Sequence, residues 1–232
     1  MQQEKIWDYF QNEGLRHGAF IGSNQRLIIR RLKPGQTVLN IGIGSGTLER
    51  LAASHKVNIH VLDPNERSIA RLRAELELGE RAKVGVAQSI PFDDDTFDTV
   101  VMSEVLEHLD YETVLTALKE VMRVLRPGGL LWASVPYREN IDTVMVACPK
   151  CGEVFHRFGH VESFNKERLR RVLADQGYEI KKIYVTAFVD WRRRGAKRFL
   201  KSLARVILAK MGEGIADPHL VVDARRPMKV IS

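Results

Sequence analysis

Between residues 37 and 136 the chain alternates five times between a short apolar run and an amphipathic stretch. The runs are "TVLNIGIG" (37–44), "VNIHVLD" (57–63), "AKVGVA" (82–87), "FDTVVMS" (97–103) and "LLWASVP" (130–136). Each has the length and near-continuous apolarity of a strand buried on both faces. Helical patterns fill the gaps at 45–55, 65–78 and 111–125, the last closed by Arg126-Pro127-Gly128-Gly129. Strands that alternate with helices cannot be joined by hairpins, so they must form a largely parallel sheet with helices on both faces. The pattern therefore predicts a doubly wound α/β fold. Further helices are predicted at 2–11, 22–32, 165–176 and 193–211, and further strands at 179–187 and 218–225. With 232 residues and no linker, we expect one domain over 1–232, carrying a Cys/His insert at 137–164 and a basic helical insert at 191–211.

The first strand ends in "LNIGIGSG", with glycines at Gly42, Gly44 and Gly46. Glycines between a strand and a helix allow a sharp turn and close approach of the backbone to a ligand. Asp63 ends the second strand, 17 residues after Gly46. A carboxylate there can accept hydrogen bonds from both hydroxyls of a ribose, which points to a nucleoside cofactor. The spacing is G-x-G-x-G rather than the G-x-G-x-x-G of dinucleotide folds.

At this point the sequence resembles the class I S-adenosylmethionine-dependent methyltransferases. The resemblance rests on "VLNIGIGSG", "HVLDPNERSI", "AQSIPFDDDTFDTVVMSEVLEHL" and "EVMRVLRPGGLLWASVP", and covers roughly 36–136. It implies a Rossmann-like methyltransferase fold with S-adenosyl-L-methionine as cofactor. The glycine turn would lie under its methionine part, Asp63 at the ribose, and Ala87, Gln88 and Ser89 along the adenine, with Ser103 also beside the cofactor. Two positions depart from the family. Asn40 stands where an acidic residue usually meets the cofactor's ammonium group, and Val86 stands near a usual adenine-binding Asp, leaving Gln88 or a backbone group to replace it.

"SEVLEHLD" follows the fourth strand, at the crevice end of such a sheet. A helical turn over 103–109 would place Glu104, Glu107 and His108 on one face. They could hold a divalent ion such as Mg2+, or His108 could serve as a general base. The same turn also occurs in the family without metal. Ubiquinone-pathway O-methyltransferases and small-RNA terminal 2′-O-methyltransferases resemble the chain here and use an ion; in the RNA branch a later histidine completes it, a part that His160 in "GHVESF" could take.

Both cysteines lie in "ACPKCGEVFHRFGHVESF" (147–164), in a C-x2-C-x4-H-x3-H arrangement. Three readings stand: Zn2+ held by Cys148, Cys151, His156 and His160; Zn2+ held by Cys148, Cys151 and His156 with His160 facing the acceptor; or a bare turn. The division between structural thiols and a functional His160 is the one we carry forward, because related methyltransferases have a histidine at that place without the cysteines.

The net charge of +7 is uneven: residues 166–210 hold fourteen Lys/Arg against four Asp/Glu. "GAKRFLKSLARVILAK" (195–210) reads as an amphipathic helix, with Lys197, Lys201 and Arg205 in one row and Phe199, Leu203 and Ile207 in another. It suits packing on its own domain, or an anionic membrane surface. An RNA partner finds no aromatic stacking platform interleaved with this charge. The N-terminus shows no apolar leader, no apolar run approaches the length of a spanning helix, and the C-x-x-C suits reduced thiols, so we expect a cytoplasmic protein. Together these features predict a methyltransferase acting on an oxygen or nitrogen of a small-molecule or glycan/lipid-linked acceptor. The alternatives are a metal-dependent RNA ribose 2′-O-methyltransferase and a non-catalytic S-adenosylmethionine-binding protein.

Overall fold

The computed structural model describes residues 2–13, 23–189, 196–212 and 214–228. Residue 22 of the expected second helix and 191–195 of the basic insert lie outside them. Seven strands form one sheet in the order β3-β2-β1-β4-β5-β9-β8. They are β1 (Thr37–Ile41), β2 (Asn58–Asp63), β3 (Ala82–Val84), β4 (Phe97–Ser103), β5 (Leu125–Pro136), β8 (Glu179–Thr186) and β9 (His219–Arg225). The pairs from β3 to β5 are parallel, and β9 runs antiparallel to both β5 and β8. The strand order reverses at β1, so the crevice where ligands bind such sheets opens between the C-terminal ends of β1 and β4.

The helices are α1 (Gln2–Asp8), α2 (Ser23–Ile29), α3 (Thr47–Ser54), α4 (Glu66–Glu75), α5 (Tyr111–Val124), α6 (Lys166–Asp175) and α7 (Ala196–Met211). The starts of α4, α5 and α6 are fixed by side chains that satisfy otherwise orphaned backbone donors: Asn65 accepts from Ser68 N–H, Asp110 from Thr113 N–H and Asn165 from Arg168 N–H. One apolar cluster, around Phe97, Leu118 and Leu173, includes the inner sides of α5 and α6; the other, around Ile28, Val61 and Trp132, includes those of α2, α3 and α4.

Three local differences from the sequence reading matter. The Arg126-Pro127-Gly128-Gly129 stretch is not a loop before the fifth strand but lies inside it, with a register shift against β4 between Phe97 and Thr99. The Cys/His insert folds as a small antiparallel hairpin of β6 (Met145–Ala147) and β7 (Val154–His156). And 103–109 is no continuous helical turn. Glu104 takes a left-handed conformation (φ 57°), and only Leu106–His108 forms a 3-10 turn. A left-handed non-glycine residue carries about 1 kcal/mol or more of strain, which the surroundings must offset.

Candidate active site

A cleft of about 1080 Å³ opens at the C-terminal ends of β1, β2 and β4. Its wall includes Asn40, Gly42, Gly44, Asp63, Ala87, Gln88 and Ser103 of the expected cofactor residues. Gly46 and Ser89 are not part of that wall. Gly46 instead begins α3 in a left-handed conformation (φ 78°), and a Cβ there would meet Leu72 at 2.6 Å, so its role is packing. Gly42 (φ 80°) is constrained in the same way by Val105, also at 2.6 Å.

Asp63 is almost fully buried, with its carboxylate held by three donors: Ile43 N–H at 3.0 Å, Asn65 N–H at 2.8 Å and the Gln11 amide at 3.1 Å. Burial raises its pKa, and the backbone donors oppose that shift. Gln11 belongs to a π-helical turn, Tyr9–Glu13, that continues α1. The sequence reading gave this segment no part in the site, yet Trp7 and Gln11 both line the cleft.

Asn40 is buried and donates from Nδ2 to Glu49 Oε1 at 2.6 Å. Asn40 Oδ1 and Glu49 Oε2 have no hydrogen-bond partner among the described residues. Burial pushes the Glu49 carboxyl up to about 7. Glu49 on α3 thus puts a carboxylate directly behind an asparagine whose oxygen has no hydrogen-bond partner among the described residues. That open acceptor, with Asp63 and the glycine turn, fits a cofactor bearing an ammonium group and a ribose.

The second half of the cleft is acidic and imidazole-rich. The expected Glu104/Glu107/His108 triplet is not one face. The left-handed turn at Glu104 sends its carboxylate to Ser134 Oγ at 2.6 Å and His219 Nδ1 at 3.0 Å, while Glu107 and His108 lie beside His160. Burial alone would lower His219, but Glu104 and Asp217 hold it up at about 10, so it is charged at neutral pH. Glu107 is 1% exposed, and neither carboxylate oxygen has a hydrogen-bond partner among the described residues. Burial, with Glu104 nearby, raises its pKa well above the ordinary carboxylate range.

His160 Nδ1 lies 2.5 Å from Glu139 Oε2. Its ring stacks on His156 (centroids 4.6 Å apart, 23° between planes) and meets His108 edge-on at 4.8 Å. With the Nδ1 proton directed to Glu139, Nε2 of His160 keeps its lone pair for chemistry. His156 is locked the other way. Its Nδ1 accepts from Phe158 N–H at 3.3 Å and His160 N–H at 3.0 Å, so the proton must sit on Nε2, which is 3.6 Å from Glu139 Oε1. Glu139, His156 and His160 are close enough together to surround an ion. But a protonated Nε2 cannot ligate metal, and at 3.6 Å it is too far to hydrogen-bond, so of the two imidazoles Glu139 holds His160. His108 Nδ1 lies 3.2 Å from Gly159 O and 3.3 Å from Trp7 Nε1–H. One nitrogen cannot donate to the first and accept from the second, so its tautomer decides which bond forms. Burial and the neighbouring His160 lower the His108 pKa to about 4.

The proposed Cys148/Cys151/His156 zinc set is not assembled. The three do not fall within 4.8 Å of one another, and among the described residues no candidate metal cluster includes a cysteine. The cause is the hairpin: Cys148 N–H bonds Glu153 O at the loop, whereas His156 sits at the far end of β7 opposite Met145. Three extended residues separate those points by about 10 Å.

Residues 39–133 match the family model of a methyltransferase domain. That stretch, less than half of the chain, is similar to methyltransferase domains and holds the glycine turn and Asp63. A 94-residue stretch is 35% identical to an uncharacterized methyltransferase of Mycobacterium tuberculosis, covering 40% of this chain and 37% of that protein. The chain spans about a quarter to a half of the length of the curated relatives it matches. Among solved structures, a SAM-dependent methyltransferase from Methanosarcina mazei superposes with a TM-score of 0.64 at 21% identity, over 88% of this chain and 98% of that one. The Burkholderia thailandensis 1,6-didemethyltoxoflavin-N1-methyltransferase, with its substrate and S-adenosylhomocysteine bound, gives 0.66 at 15% identity, over 97% and 87%. These likenesses establish the methyltransferase fold. The residues that sequence reasoning missed, Glu49, Glu139, Asp217 and His219, carry no local motif and join the site only through tertiary contacts.

Proposed function

We propose that the protein transfers a methyl group from S-adenosylmethionine to an oxygen, or a nitrogen, of a small-molecule or glycan/lipid-linked acceptor. The observation that carries this reading is the Glu139–His160 pair in the same cleft as Asp63 and the glycine turn. The cofactor supplies an activated methyl on its sulfonium, so the chain's task is mainly placement. Asp63 fixes the ribose and Asn40, backed by Glu49, receives the ammonium group. His160, with Nδ1–H held by Glu139, accepts the acceptor's proton at Nε2. The test is release of S-adenosylhomocysteine with a panel of phenol, sugar and polyprenol acceptors. His160→Ala should lower turnover by about 10²–10⁴-fold with cofactor affinity unchanged. Glu139→Gln should retain part of the activity with a displaced pH profile. Full turnover in His160→Ala overturns the assignment of the base.

A second reading adds a divalent ion at Glu107, His108 and His160, and it rests on the buried Glu107 carboxylate, whose oxygens have no hydrogen-bond partner among the described residues. Ligation through Nε2 of both rings would leave Nδ1–H of His160 on Glu139 and Nδ1–H of His108 on the Gly159 carbonyl, the usual support of metal-bound imidazoles. A hard ion such as Mg2+ or Mn2+ suits the carboxylate. Under this reading a chelator abolishes turnover and Mn2+ restores it, and a ribose hydroxyl of RNA joins the acceptor panel. Turnover that survives chelation leaves His160 acting as base alone.

A further inference from the structure

Among the described side chains, helix α7 packs through the face that carries Val206 and Ala209. Ala209 is fully buried with Ala187 and Ala216, and Val206 packs against them. Arg205, its side chain 43% exposed, reaches across to the following turn: Nε donates to Ala216 O at 3.0 Å and the guanidinium pairs with Asp217 at 3.3 Å. Within the expected basic row Arg205 is thus engaged by its own domain, pairing with Asp217 at the surface. On the opposite side Leu200, Leu203, Ile207, Leu208 and Met211 are between 39% and 70% exposed. At 100° per residue these five cover an arc of about 140°. Lys201 and Lys210, both exposed, stand at its two edges.

A helix of a globular protein normally turns its widest apolar stripe to the core, and a contiguous outward one marks an interaction surface. The charge selects the partner. Between Asp190 and Glu213 the sequence has eight Lys/Arg and no acidic residue. A matching surface must therefore be apolar in the middle and negative at the edges. An anionic bilayer offers both, with lysine stems running up from the acyl boundary to the headgroups. A polyanion such as RNA has phosphates for the lysines but nothing for five aliphatic side chains. Among the described residues no helix is long and apolar enough to cross a membrane, so the contact is a surface one.

We propose that α7 docks on an anionic membrane surface, its stripe in the acyl boundary and Lys201 and Lys210 at the headgroups. Asp217, held by Arg205, is part of the cleft wall, so docking fixes the cleft beside the bilayer. Only the consequence for the acceptor rests on the methyl-transfer reading: a lipid-linked hydroxyl would reach the cleft without leaving the membrane.

The test is co-sedimentation of the full chain, without cofactor, on vesicles of phosphatidylcholine alone or with a quarter phosphatidylglycerol. Binding to the anionic vesicles should weaken with salt and be lost in Leu203→Glu/Ile207→Glu. It should be about 30-fold weaker in Lys201→Gln/Lys210→Gln, two surface charges having been removed. Both variants should keep the wild-type melting temperature and cofactor affinity. Equal binding to neutral and anionic vesicles, or unchanged binding by Leu203→Glu/Ile207→Glu, overturns the proposal. So does a dimer in sedimentation velocity that vanishes in that variant while vesicles go unbound, which assigns the stripe to a second copy. Vesicle binding without any cofactor binding would leave the docking in place and remove the methyl-transfer reading.

Discussion

Asp63 shows how far one residue can be read from sequence. A carboxylate at the end of the second strand is placed by spacing alone, and the structure supplies it with three donors and a seat in the cleft. Asp63→Ala should weaken cofactor binding by about 1.5–3 kcal/mol, the range for hydrogen bonds to a charged group, as read by calorimetric titration. Asn40 shows the opposite. Sequence exposes the missing acid but not its replacement, because Glu49 reaches Asn40 from the next helix and nothing in its own surroundings marks it. The Glu49 carboxyl, held up at about 7, is half protonated near neutrality. A cationic ligand beside Asn40 favours the ionised form, so cofactor affinity should rise with pH up to about 7 and then level off. Titration in buffers of different ionisation enthalpy should show proton release on binding below that point. In Glu49→Gln both the slope and the release should disappear. A wild-type slope in that variant would detach Glu49 from the cofactor.

Elements were more legible than the side chains that connect them. The β1 to β5 alternation could be read because continuous apolar runs between amphipathic helices have few other folded solutions. The E-x-x-E-H segment could not, because helical spacing was assumed where the chain turns left-handed at Glu104 and so parts it from Glu107. The Cys/His insert failed for a related reason. C-x2-C-x4-H looks like a ligand set in one dimension, but a hairpin extends it, and His156 ends beside His160 rather than beside the thiols. Cys151 is exposed and Cys148 partly so. Cys148→Ser/Cys151→Ser should therefore shift stability by no more than about 0.5 kcal/mol, and the purified protein should carry no zinc bound by these thiols. Elemental analysis and melting curves on both proteins check this. One zinc per chain, lost with the cysteines together with several degrees of melting temperature, would restore the zinc reading.

At the scale of the molecule, the titrating groups buried around the cleft set how stability responds to pH. His219 is raised from 6.5 to about 10 in the fold, so between those values the native state holds a proton that the unfolded chain has lost. Its contribution is complete below pH 6.5 and is lost as pH climbs through 10. Glu49 acts with the same sign in a lower window, from 4.5 to about 7. His60 and His108 act against it. Burial lowers both to about 4, so they make stability rise as pH goes from about 4 to 6.5. The opposing slopes meet near pH 6.5, above which His219 drives a decline to which the raised Glu107 carboxyl adds. The His219 shift corresponds to at most on the order of 4–5 kcal/mol. Each kcal/mol moves the melting temperature by roughly 2–4 °C in a chain of this length. Melting curves from pH 5 to 10 should therefore peak near neutrality and fall on the alkaline side. Glu104→Gln/His219→Gln, which removes the buried charge pair as a unit, should be less stable at pH 7 but flatter where wild type declines. Parallel alkaline slopes in the two proteins would place the responsible proton elsewhere. The same pair ties β9 to the turn after β4, and hence the antiparallel edge of the sheet to the cleft. An alkaline loss of stability should therefore appear together with a loss of cofactor affinity rather than after it.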